Sequence, residues 1–497
     1  MNLKPTSKEF EKLAKDFDVI AVSKEFTADA ETPLSAYVKL SGDKPAFLFE
    51  SVVGGEKVSR YSFVGSAPIK TIFCGENDTE IRLSNGKKIR LPTPEDPLSL
   101  VEKEISNLKY HGIDNNRFSG GAVGFLGYEY ANRVEKTVPL PDQDELNMPI
   151  LFFMLTEVVL IFDHARQTLT ICANAFPGEN PEESYKKACQ KINDTLETLL
   201  MPSQLEATPL EVDEELDIPK GNFSKDEFEK LVEQTKELVR SGDVIQTVLS
   251  QRFSLPFEHP AVNLYRAIRA INPSPYMFLL ESDDFAIVGA SPEVHVRLMQ
   301  DDVLIRPIAG TRPRGKTEIE DQQLEKELLD DEKENAEHLM LVDLARNDIG
   351  RVCEPGSVQA AEFKTIERYS HVMHIVSQVI GKLKNDKNAF DLMRATFPAG
   401  TVSGAPKVRA MQIIAQIEQL RRNAYAGALG YFGYEGNHDS CIAIRTAMIL
   451  NGKMHLQAGA GIVADSIPEN EFFETINKAK GMLKAVSFAK RIGDSGI

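Results

Sequence analysis

Short runs of β-branched and aromatic residues follow one another through the 497-residue chain without regular helices between them. Examples are AFLFESVV (46–53), KTIFCG (70–75) and TEVVLIFD (156–163). Consecutive strands without helical crossovers pair in an antiparallel arrangement, because parallel pairing requires a long connection. The pattern therefore predicts an α+β fold with large, mostly antiparallel sheets, and it disfavours a doubly wound fold.

Two helices and a linker are predicted near the middle of the chain. Apolar residues recur at helical spacing in PEESYKKACQKINDTLETLL and again in FSKDEFEKLVEQTKELVRSGD, where Ser224 precedes Glu227 by three residues as in a capping box. The segment between these helices, 201–221, combines prolines with a run of acids and has no periodicity. We therefore expect an N-terminal region over 1–205 and a second region over 222–490.

Charge and cysteine content limit the compartment and the partners. The formal net charge of −17 argues against nucleic acid as the main partner, because phosphate binding requires a basic surface. The first residues, MNLKPTSKEFEK, are charged and contain no apolar core, and the most apolar stretch, 149–162, is too short to span a bilayer. The five cysteines are widely spaced and form no C-x-x-C pair. Free thiols of this kind predict a protein of the reducing cytoplasm. The shortness of the apolar stretch predicts that the protein has no membrane partner.

Two segments with helical spacing, DEKENAEHLMLVDLAR and PENEFFETINKAKGML, each carry a Glu-x-x-Glu pair. The pairs are Glu334 with Glu337 and Glu471 with Glu474. Residues three apart share a helix face, so four carboxylates on two facing helices would suit a hard divalent cation such as Mg²⁺. The alternative is a solvated surface on which Glu474 and Lys478 form an ordinary ion pair. The apolar surroundings of Glu337 favour the metal site.

Two glycine-rich stretches could hold an anionic group. FPAGTVSGAPKVRAMQII runs from a loop into a helix for which Ser403 is available as a cap. LQAGAGIVADS places Gly459 and Gly461 at the end of a strand-like run. Exposed backbone amides at such turns bind carboxylates or phosphates, although neither stretch matches a P-loop or a dinucleotide fingerprint. Plain structural turns are the alternative.

Several single residues are candidates for chemistry. Arg445 is predicted to lie inside a strand-like run, DSCIAIRTAMIL, with mainly apolar neighbours. Its charge therefore requires either a structural carboxylate or a substrate anion, and Tyr425 could add a hydroxyl donor. His374 lies on the apolar face of a strand-like run, where it is either a catalytic base or a packed core residue, and His371 competes with it from the other face. Glu293 begins a strand and could line a cleft.

The motifs occur in an order that resembles the chorismate-utilising enzymes and, among them, the large subunits of anthranilate synthases. The resemblance is close over 222–490, through PSPYMF, GASPE, RPIAGTRPRG, DEKENAEHLMLVDLARND, YSHVMH, GTVSGAPKVRAM, AYAGALGYF, CIAIRTA and QAGAGIV, and looser through FLFES and RYSFVG. It implies two large sheets that form a cleft flanked by helices. It also implies Mg²⁺-dependent amination of chorismate at C2 with loss of the C4 hydroxyl, then elimination of pyruvate to give anthranilate, the first committed step of tryptophan biosynthesis.

The resemblance also implies roles for single residues. Glu337 and Glu474 would bind Mg²⁺ directly, with Glu334 and Glu471 acting through water. The catalytic residues implied are Glu293, the acid for the departing C4 hydroxyl, His374, the base for the C2 proton, and Thr401. The substrate-binding residues implied are Gly310, Thr311, Tyr425, Arg445, Gly459, Ala460, Gly461, Gln246 and Lys478, with Arg445 and Tyr425 as the clamp on the enolpyruvyl carboxylate.

Residues at two sequence positions distinguish this chain from relatives that catalyse other reactions of chorismate. Relatives that add water to chorismate carry a lysine base where this chain has Gln246, and aminodeoxychorismate synthases carry a nucleophilic lysine where it has Ala309. No cysteine lies in a Gly-x-Cys-x-Gly elbow of the glutaminase type. We therefore expect ammonia from a separate glutaminase subunit and a hetero-oligomer with it, of the heterotetramer type.

Feedback inhibition by tryptophan is a further implication of the resemblance. The matching residues are Glu50, Ser51, Pro275, Tyr276, Met277 and Cys441. Phe49 departs from the family motif, which has leucine there. Two alternatives for the whole chain remain: a chorismate-aminating enzyme that retains pyruvate, such as an aminodeoxyisochorismate synthase, and a non-catalytic amino-acid-sensing homologue.

Overall fold

The computed structural model describes residues 3–42, 45–51, 60–113, 117–203, 205–210, 218–369 and 372–494. Within these ranges the helices are α1 Ser7–Leu13, α2 Pro33–Ser41, α3 Leu98–Ile105, α4 Ala131–Val134, α5 Pro181–Leu199, α6 Lys225–Arg240, α7 Ala261–Ile271, α8 Glu318–Asp330, α9 Glu332–Gly350, α10 Ala389–Thr396, α11 Lys407–Glu418 and α12 Pro468–Asp494. Short 3₁₀ turns are at Tyr128–Tyr130 and Gly400–Val402. No helix in the described ranges combines the length and the apolar character needed to cross a bilayer.

The strands belong to two large sheets. They are β1 Val19–Thr27, β2 Ala46–Glu50, β3 Tyr61–Ser66, β4 Lys70–Cys74, β5 Asp78–Leu83, β6 Lys88–Pro92, β7 Tyr110–His111, β8 Gly121–Leu126, β9 Leu151–Thr156, β10 Val158–Asp163, β11 Thr168–Ala175, β12 Gln246–Pro256, β13 Tyr276–Glu281, β14 Ala286–Ser291, β15 Val294–Met299, β16 Asp302–Ile305, β17 Ile308–Pro313, β18 Gln359–Arg368, β19 Val372–Lys382, β20 Gly404–Ala405, β21 Ala428–Gly433, β22 His438–Ile442, β23 Thr446–Leu450 and β24 Lys453–Ile462.

The first sheet has the strand order β20-β12-β24-β23-β14-β13-β2-β3-β10-β11-β1-β7. The second has the order β17-β19-β16-β15-β22-β21-β8-β9-β4-β5-β6, and β18 also pairs with β19. Among the described strands, β1 and β7 pair in parallel and the other neighbours pair antiparallel. Strands from the two halves of the chain are direct neighbours, β2 with β13 and β8 with β21.

The main core lies between the two sheets. Phe47 of β2 packs there in one cluster with Phe152 of β9, whereas the next residue, Leu48, packs on the opposite face with Leu264 of α7 and Val486 of α12. Successive side chains of a strand point to opposite faces, so a run of apolar residues indicates a strand buried on both sides. The helices α2, α5, α7 and α12 therefore cover the outer face of the first sheet.

The predicted α+β fold with large antiparallel sheets is confirmed. The two predicted helices are α5 and α6, and Ser224 forms the expected capping box with Glu227. The expected cap of α11 is wrong: that helix begins after Pro406 without a side-chain cap, and the Ser403 hydroxyl donates to the Ala399 carbonyl at 2.9 Å. Ser403 lies too far before the helix start to reach its first amides.

Two helices from distant parts of the chain are placed by different sheets. Helix α9 packs against β17 and β19 of the second sheet. Helix α12 packs against β24 of the first sheet and against α6 and α7. The space that they border is therefore walled by both sheets.

Candidate active site and a second cavity

A cavity of about 530 Å³, named the active-site cavity below, lies between α9 and α12. Its walls also include β12, β17, β24 and the 3₁₀ turn Gly400–Val402. The volume is that of a pocket for a small organic molecule. The predicted site residues that line it are Gln246, Gly310, Thr311, Glu334, Glu337, Thr401, Tyr425, Arg445, Gly459, Gly461, Glu471, Glu474 and Lys478.

The four glutamates of the Glu-x-x-Glu pairs face this cavity from two different helices. Burial and the nearby carboxylate of Glu337 raise the pKa of Glu334, and burial and the nearby carboxylate of Glu474 raise the pKa of Glu471. Each pair therefore concentrates negative charge that is only partly balanced by protein groups. A cation bound between such carboxylates would relieve their repulsion.

Protein groups already contact some of these carboxylates. Nζ of Lys478 lies 2.7 Å from Oε1 of Glu474, so the ion pair expected on a solvated surface is present at the cavity wall. Nε2 of Gln246 donates to Oε1 of Glu337 at 3.4 Å. Among the residues that the structure describes, no three His, Cys, Asp or Glu side chains lie close enough together to hold a metal ion. The acids share a cavity without forming a compact coordination sphere.

Glu293 lies behind the wall of the active-site cavity and borders a smaller adjoining cavity. Its side chain is 5% exposed, and Oε1 accepts a 2.7 Å hydrogen bond from the Thr401 hydroxyl. Thr401 lines both cavities and so connects them. Burial raises the pKa of Glu293 to about 8, although the Thr401 hydrogen bond and the Arg445 charge act in the opposite direction. The carboxyl group is therefore protonated at neutral pH, as a general acid requires.

His374 adjoins the active-site cavity through its neighbours on β17. Its Nδ1 lies 3.0 Å from the Gly310 carbonyl oxygen and 3.0 Å from the Thr311 hydroxyl. A carbonyl oxygen only accepts, so Nδ1 carries the proton and Nε2 has the lone pair. Burial lowers the pKa of His374, so the ring is neutral at neutral pH and can accept a proton. The competing His371 lies outside the described residues.

Arg445 lies in the connection between β22 and β23 with φ of +50°, and the prediction that it lies within a strand is wrong. This left-handed backbone turns its side chain into the active-site cavity. Burial lowers the pKa of its guanidinium group. In the described part of the chain, no carboxylate lies within ion-pairing distance of it. The guanidinium is therefore available to an anion in the cavity.

Glycines of β24 make room for two polar side chains at the cavity. A Cβ atom at position 459 would lie 2.8 Å from the hydroxyl oxygen of Tyr425, and a Cβ atom at Gly461 would overlap Nε2 of Gln246. Tyr425 is buried, which raises the pKa of its hydroxyl to about 12 and keeps it a hydrogen-bond donor. Ala460 alternates with the two glycines, so its methyl group packs into an apolar cluster behind the strand and away from the cavity.

Lys333 also lines the active-site cavity, and the sequence reasoning did not select it. It lies in the first turn of α9, next to Glu334, and its charge offsets part of the rise in the pKa of Glu334 and of Glu471. The sequence feature that could have predicted it is a positively charged residue directly before a predicted metal ligand, Glu334. Helical surfaces commonly carry such neighbours, so the signal was weak.

A second cavity, of about 340 Å³, lies between the two sheets and is named the aromatic cavity. All six residues expected at a tryptophan site line it, and so does Phe49. The other aromatic residues in its wall are Tyr61, Phe63, Phe118, Phe278 and Tyr431. Rings on several sides, with polar groups between them, suit a flat aromatic molecule that carries charged groups.

The polar groups of the aromatic cavity have defined partners. The Tyr265 hydroxyl donates to Oε2 of Glu50 at 2.5 Å, and Nε of Arg269 lies 3.0 Å from the same oxygen. The Ser51 hydroxyl donates to the carbonyl of Pro275 at 2.7 Å. The Glu50 contacts join the end of β2 to α7, and the Ser51 contact joins it to the segment before the neighbouring strand β13.

An ion pair in the aromatic cavity was not predicted from the sequence. Nε of Arg297 lies 2.9 Å from Oδ2 of Asp439, and the Tyr276 hydroxyl donates to Oδ1 of the same carboxylate at 2.9 Å. Arg297 is on β15 and Asp439 is on the neighbouring β22. Their pairing depends on strand register, which local sequence does not reveal.

The comparisons with known proteins agree with one another. The family model for chorismate binding enzymes matches residues 44–484. The chain is 46% identical over 495 residues to anthranilate synthase component 1 of Aquifex aeolicus, covering 99% of both chains, and 43% identical to that of Acetivibrio thermocellus, covering 98% of this chain and 99% of the relative. The crystal structure of anthranilate synthase component I from Streptococcus pneumoniae matches with a TM-score of 0.77 and 38% identity, over 92% of this chain and 99% of that one. The chain therefore belongs to the chorismate-binding enzymes, among the anthranilate synthase component 1 proteins of that family.

Proposed function

We propose that the active-site cavity converts chorismate and ammonia to anthranilate, pyruvate and water. The observation that carries this proposal is a buried, protonated carboxyl group, Glu293, joined through Thr401 to a cavity that also contains the unpaired guanidinium of Arg445. Expelling hydroxide from a ring requires a proton donor, and a dicarboxylate substrate requires a fixed cation. Both requirements are met within one cavity.

In the proposed reaction, Arg445 and Tyr425 hold the enolpyruvyl carboxylate. Glu293 gives its proton to the C4 hydroxyl, so the C4–O bond breaks and water departs while the ammonia nitrogen bonds to C2. His374 then removes the C2 proton through Nε2, and that electron pair completes the aromatic ring as the bond between ring carbon C3 and the enolpyruvyl oxygen breaks. The released enolpyruvate takes up a proton and becomes pyruvate.

The four glutamates fit a Mg²⁺ ion by their chemistry. They offer hard oxygen donors from two helices, and in each pair the neighbouring carboxylate raises the pKa of one member. Glu337 and Glu474 would bind the ion directly, and Glu334 and Glu471 would act through water. When bound, Mg²⁺ withdraws electron density through the ring carboxylate. Glu474→Gln should raise the Mg²⁺ concentration needed for half-maximal activity, and unchanged dependence on Mg²⁺ would contradict the assignment.

We also propose a separate glutaminase subunit as the source of ammonia, with a hetero-oligomer as the working form in the cytoplasm. The five cysteines are free thiols, four of them buried, and none occupies a glutaminase motif. The chain alone should make anthranilate from chorismate with a high ammonium concentration at alkaline pH, and not with glutamine. Turnover with glutamine by the isolated chain would overturn this part of the proposal.

The aromatic cavity is proposed to bind tryptophan as an inhibitor. Its rings and its volume suit an indole, and its position suits control of Glu293. Cys441 lines the cavity, and the N–H of the next residue, Ile442, donates to the Glu293 carbonyl at 3.1 Å. A ligand that shifts β22 would therefore also shift the general acid.

The competing activities differ in their products. Water addition needs a base where this chain has the amide of Gln246, which lines the cavity and contacts Glu337. An aminodeoxyisochorismate synthase would retain the pyruvyl group, and a sensing homologue would form no product. The test is incubation with chorismate, Mg²⁺ and ammonium, followed by separate detection of fluorescent anthranilate and of pyruvate. Equal amounts of the two support the proposal; an aminated product without pyruvate, or no product, would overturn it.

A further inference from the structure

Arg422 and Glu418 form a buried ion pair directly behind the active-site cavity. Nε of Arg422 lies 2.9 Å from Oε2 of Glu418, and Nη2 lies 2.6 Å from Oε1, so the contact is bidentate. The side chains of Arg422 and Glu418 are 1% and 3% exposed. Glu418 is the last residue of α11, and Arg422 lies in the following connection. Neither residue lines the cavity, so neither contacts the substrate.

The remaining donors of Arg422 reach the two walls of the cavity. Nη1 donates to the Val402 carbonyl at 2.8 Å, and Nη2 donates to the Val248 carbonyl at 2.8 Å. Val402 follows Thr401 in the 3₁₀ turn, and Val248 lies on β12 near Gln246. One guanidinium therefore connects the 3₁₀ turn that carries Thr401, the hydrogen-bond partner of Glu293, to strand β12, which carries Gln246.

The pair also supports these segments from behind. Oε1 of Glu418 accepts hydrogen bonds from the Ser250 backbone N–H at 2.7 Å and from its hydroxyl at 2.9 Å. The Arg422 guanidinium carbon lies 5.6 Å from the centre of the Tyr425 ring. The backbone N–H of Arg422 donates to Oε1 of the buried Glu129 at 2.7 Å. The Tyr425 contact reaches a residue that lines the active-site cavity, whereas Ser250 and Glu129 hold the pair in place from outside the cavity.

We propose that Arg422, held by Glu418, is a positioning residue that fixes Thr401, Gln246 and Tyr425 in their catalytic geometry. A planar guanidinium provides five donors in fixed directions, and here they serve one carboxylate and two carbonyls at once. Lysine keeps the charge but offers three donors from a single atom, so it cannot hold both walls. The inference rests on the proposed function, because it assigns catalytic importance to Thr401.

The test compares Arg422→Lys with Arg394→Lys in the full-length chain. Arg394 is likewise an ion-paired arginine, with Glu102, Asp96 and Asp391 as partners, but it lies on α10 and does not line the active-site cavity. Both variants are assayed at saturating chorismate and at a temperature where circular dichroism shows them folded. We expect Arg422→Lys to lower kcat about tenfold or more, because small misplacements of catalytic groups are costly, and Arg394→Lys to keep the wild-type kcat.

A double-variant cycle separates positioning from general stability. If Arg422 acts through Thr401, the kcat loss of the double variant Arg422→Lys with Thr401→Val falls well short of the product of the single losses. Wild-type kcat in Arg422→Lys, or losses that multiply although Thr401→Val by itself lowers kcat, would overturn the inference. If Thr401→Val alone leaves kcat unchanged, the assignment of Thr401 in the proposed function fails, and the comparison with Arg394→Lys still decides whether Arg422 positions the site. Should Arg422→Lys fail to fold, Glu418→Gln and Ser250→Ala loosen the same pair more mildly, and wild-type kcat in both would equally overturn it.

Discussion

The hydroxyl of Thr401 donates a 2.7 Å hydrogen bond to Oε1 of Glu293, and this contact joins the active-site cavity to a carboxyl group buried behind its wall. Thr401 belongs to a 3₁₀ turn, whereas Glu293 immediately precedes β15 of the second sheet. Burial keeps Glu293 protonated at neutral pH, and the hydroxyl orients it toward the cavity.

Glu293→Gln removes the proton donor while keeping the shape of the side chain. We expect kcat to fall by about 10²–10⁴-fold, the usual contribution of general acid catalysis. Glu435→Gln is the matched control, because Glu435 is also a buried carboxyl whose pKa is raised to about 8 by burial, and it lines neither cavity. Steady-state anthranilate formation measures both. Near wild-type turnover by Glu293→Gln would contradict its assignment as the acid.

Thr401→Val should shift the alkaline limb of the pH–rate profile to higher pH. The acid must be protonated, so activity declines as pH rises through the pKa of Glu293, at about 8. The Thr401 hydrogen bond stabilises the charged carboxylate, so its removal raises the pKa further. The profile of log kcat against pH shows the shift, with Thr235→Val, a buried threonine of α6, as control. An alkaline limb that stays in place or moves to lower pH would show that the Thr401 hydrogen bond does not lower the pKa of Glu293.

His374→Ala should slow the release of pyruvate and leave an aminated intermediate, because no base then removes the C2 proton. Since His374 must be neutral and burial lowers its pKa, activity of the wild type should persist to a pH below the ordinary pKa of histidine and decline only as the pH falls further. Chromatography of the products measures the intermediate, and His455→Ala, a buried histidine bonded to Ser254, is the control. Full pyruvate release by His374→Ala would assign the base to another group.

Gly461→Ala should displace Gln246 from the cavity, since the added methyl group would overlap its amide nitrogen. We expect kcat/KM for chorismate to fall about tenfold or more, because the wall of the cavity moves with the side chain. Gly350→Ala is the control, since a Cβ atom there meets nothing within 4 Å and the residue is the last of α9. Equal kinetics in the two variants would show that Gln246 tolerates the shift.

Ser51→Ala should weaken inhibition by tryptophan about two- to tenfold, as expected for one lost hydrogen bond. The hydroxyl joins β2 to Pro275 at the wall of the aromatic cavity, so its removal loosens the site. Inhibition curves and direct calorimetric binding measure the effect, with Ser254→Ala on β12 as control. A rate that stays flat up to millimolar tryptophan in the wild type would remove the regulatory proposal altogether.

The features that the sequence determined by itself are local ones. The capping box of Ser224 and Glu227 depends on residues three apart, and Glu334 with Glu337 share a face through helical periodicity alone. Gly459 was selected from its place at the end of a strand-like run, and it does line the cavity. Runs of strand-forming residues were sufficient to predict the antiparallel sheets, because strand propensity and the absence of crossovers are readable along the chain.

The relationships between distant segments were decided only by the tertiary structure. Glu334 and Glu471 meet at one cavity because α9 and α12 are held by different sheets, and that arrangement follows from core packing across the whole chain. Arg445 turns into the cavity through a left-handed connection, and Arg422 acts from behind it through carbonyl groups, which leave no mark on sequence pattern. Local periodicity determines which face of an element is apolar, but only packing of the complete fold determines which faces meet.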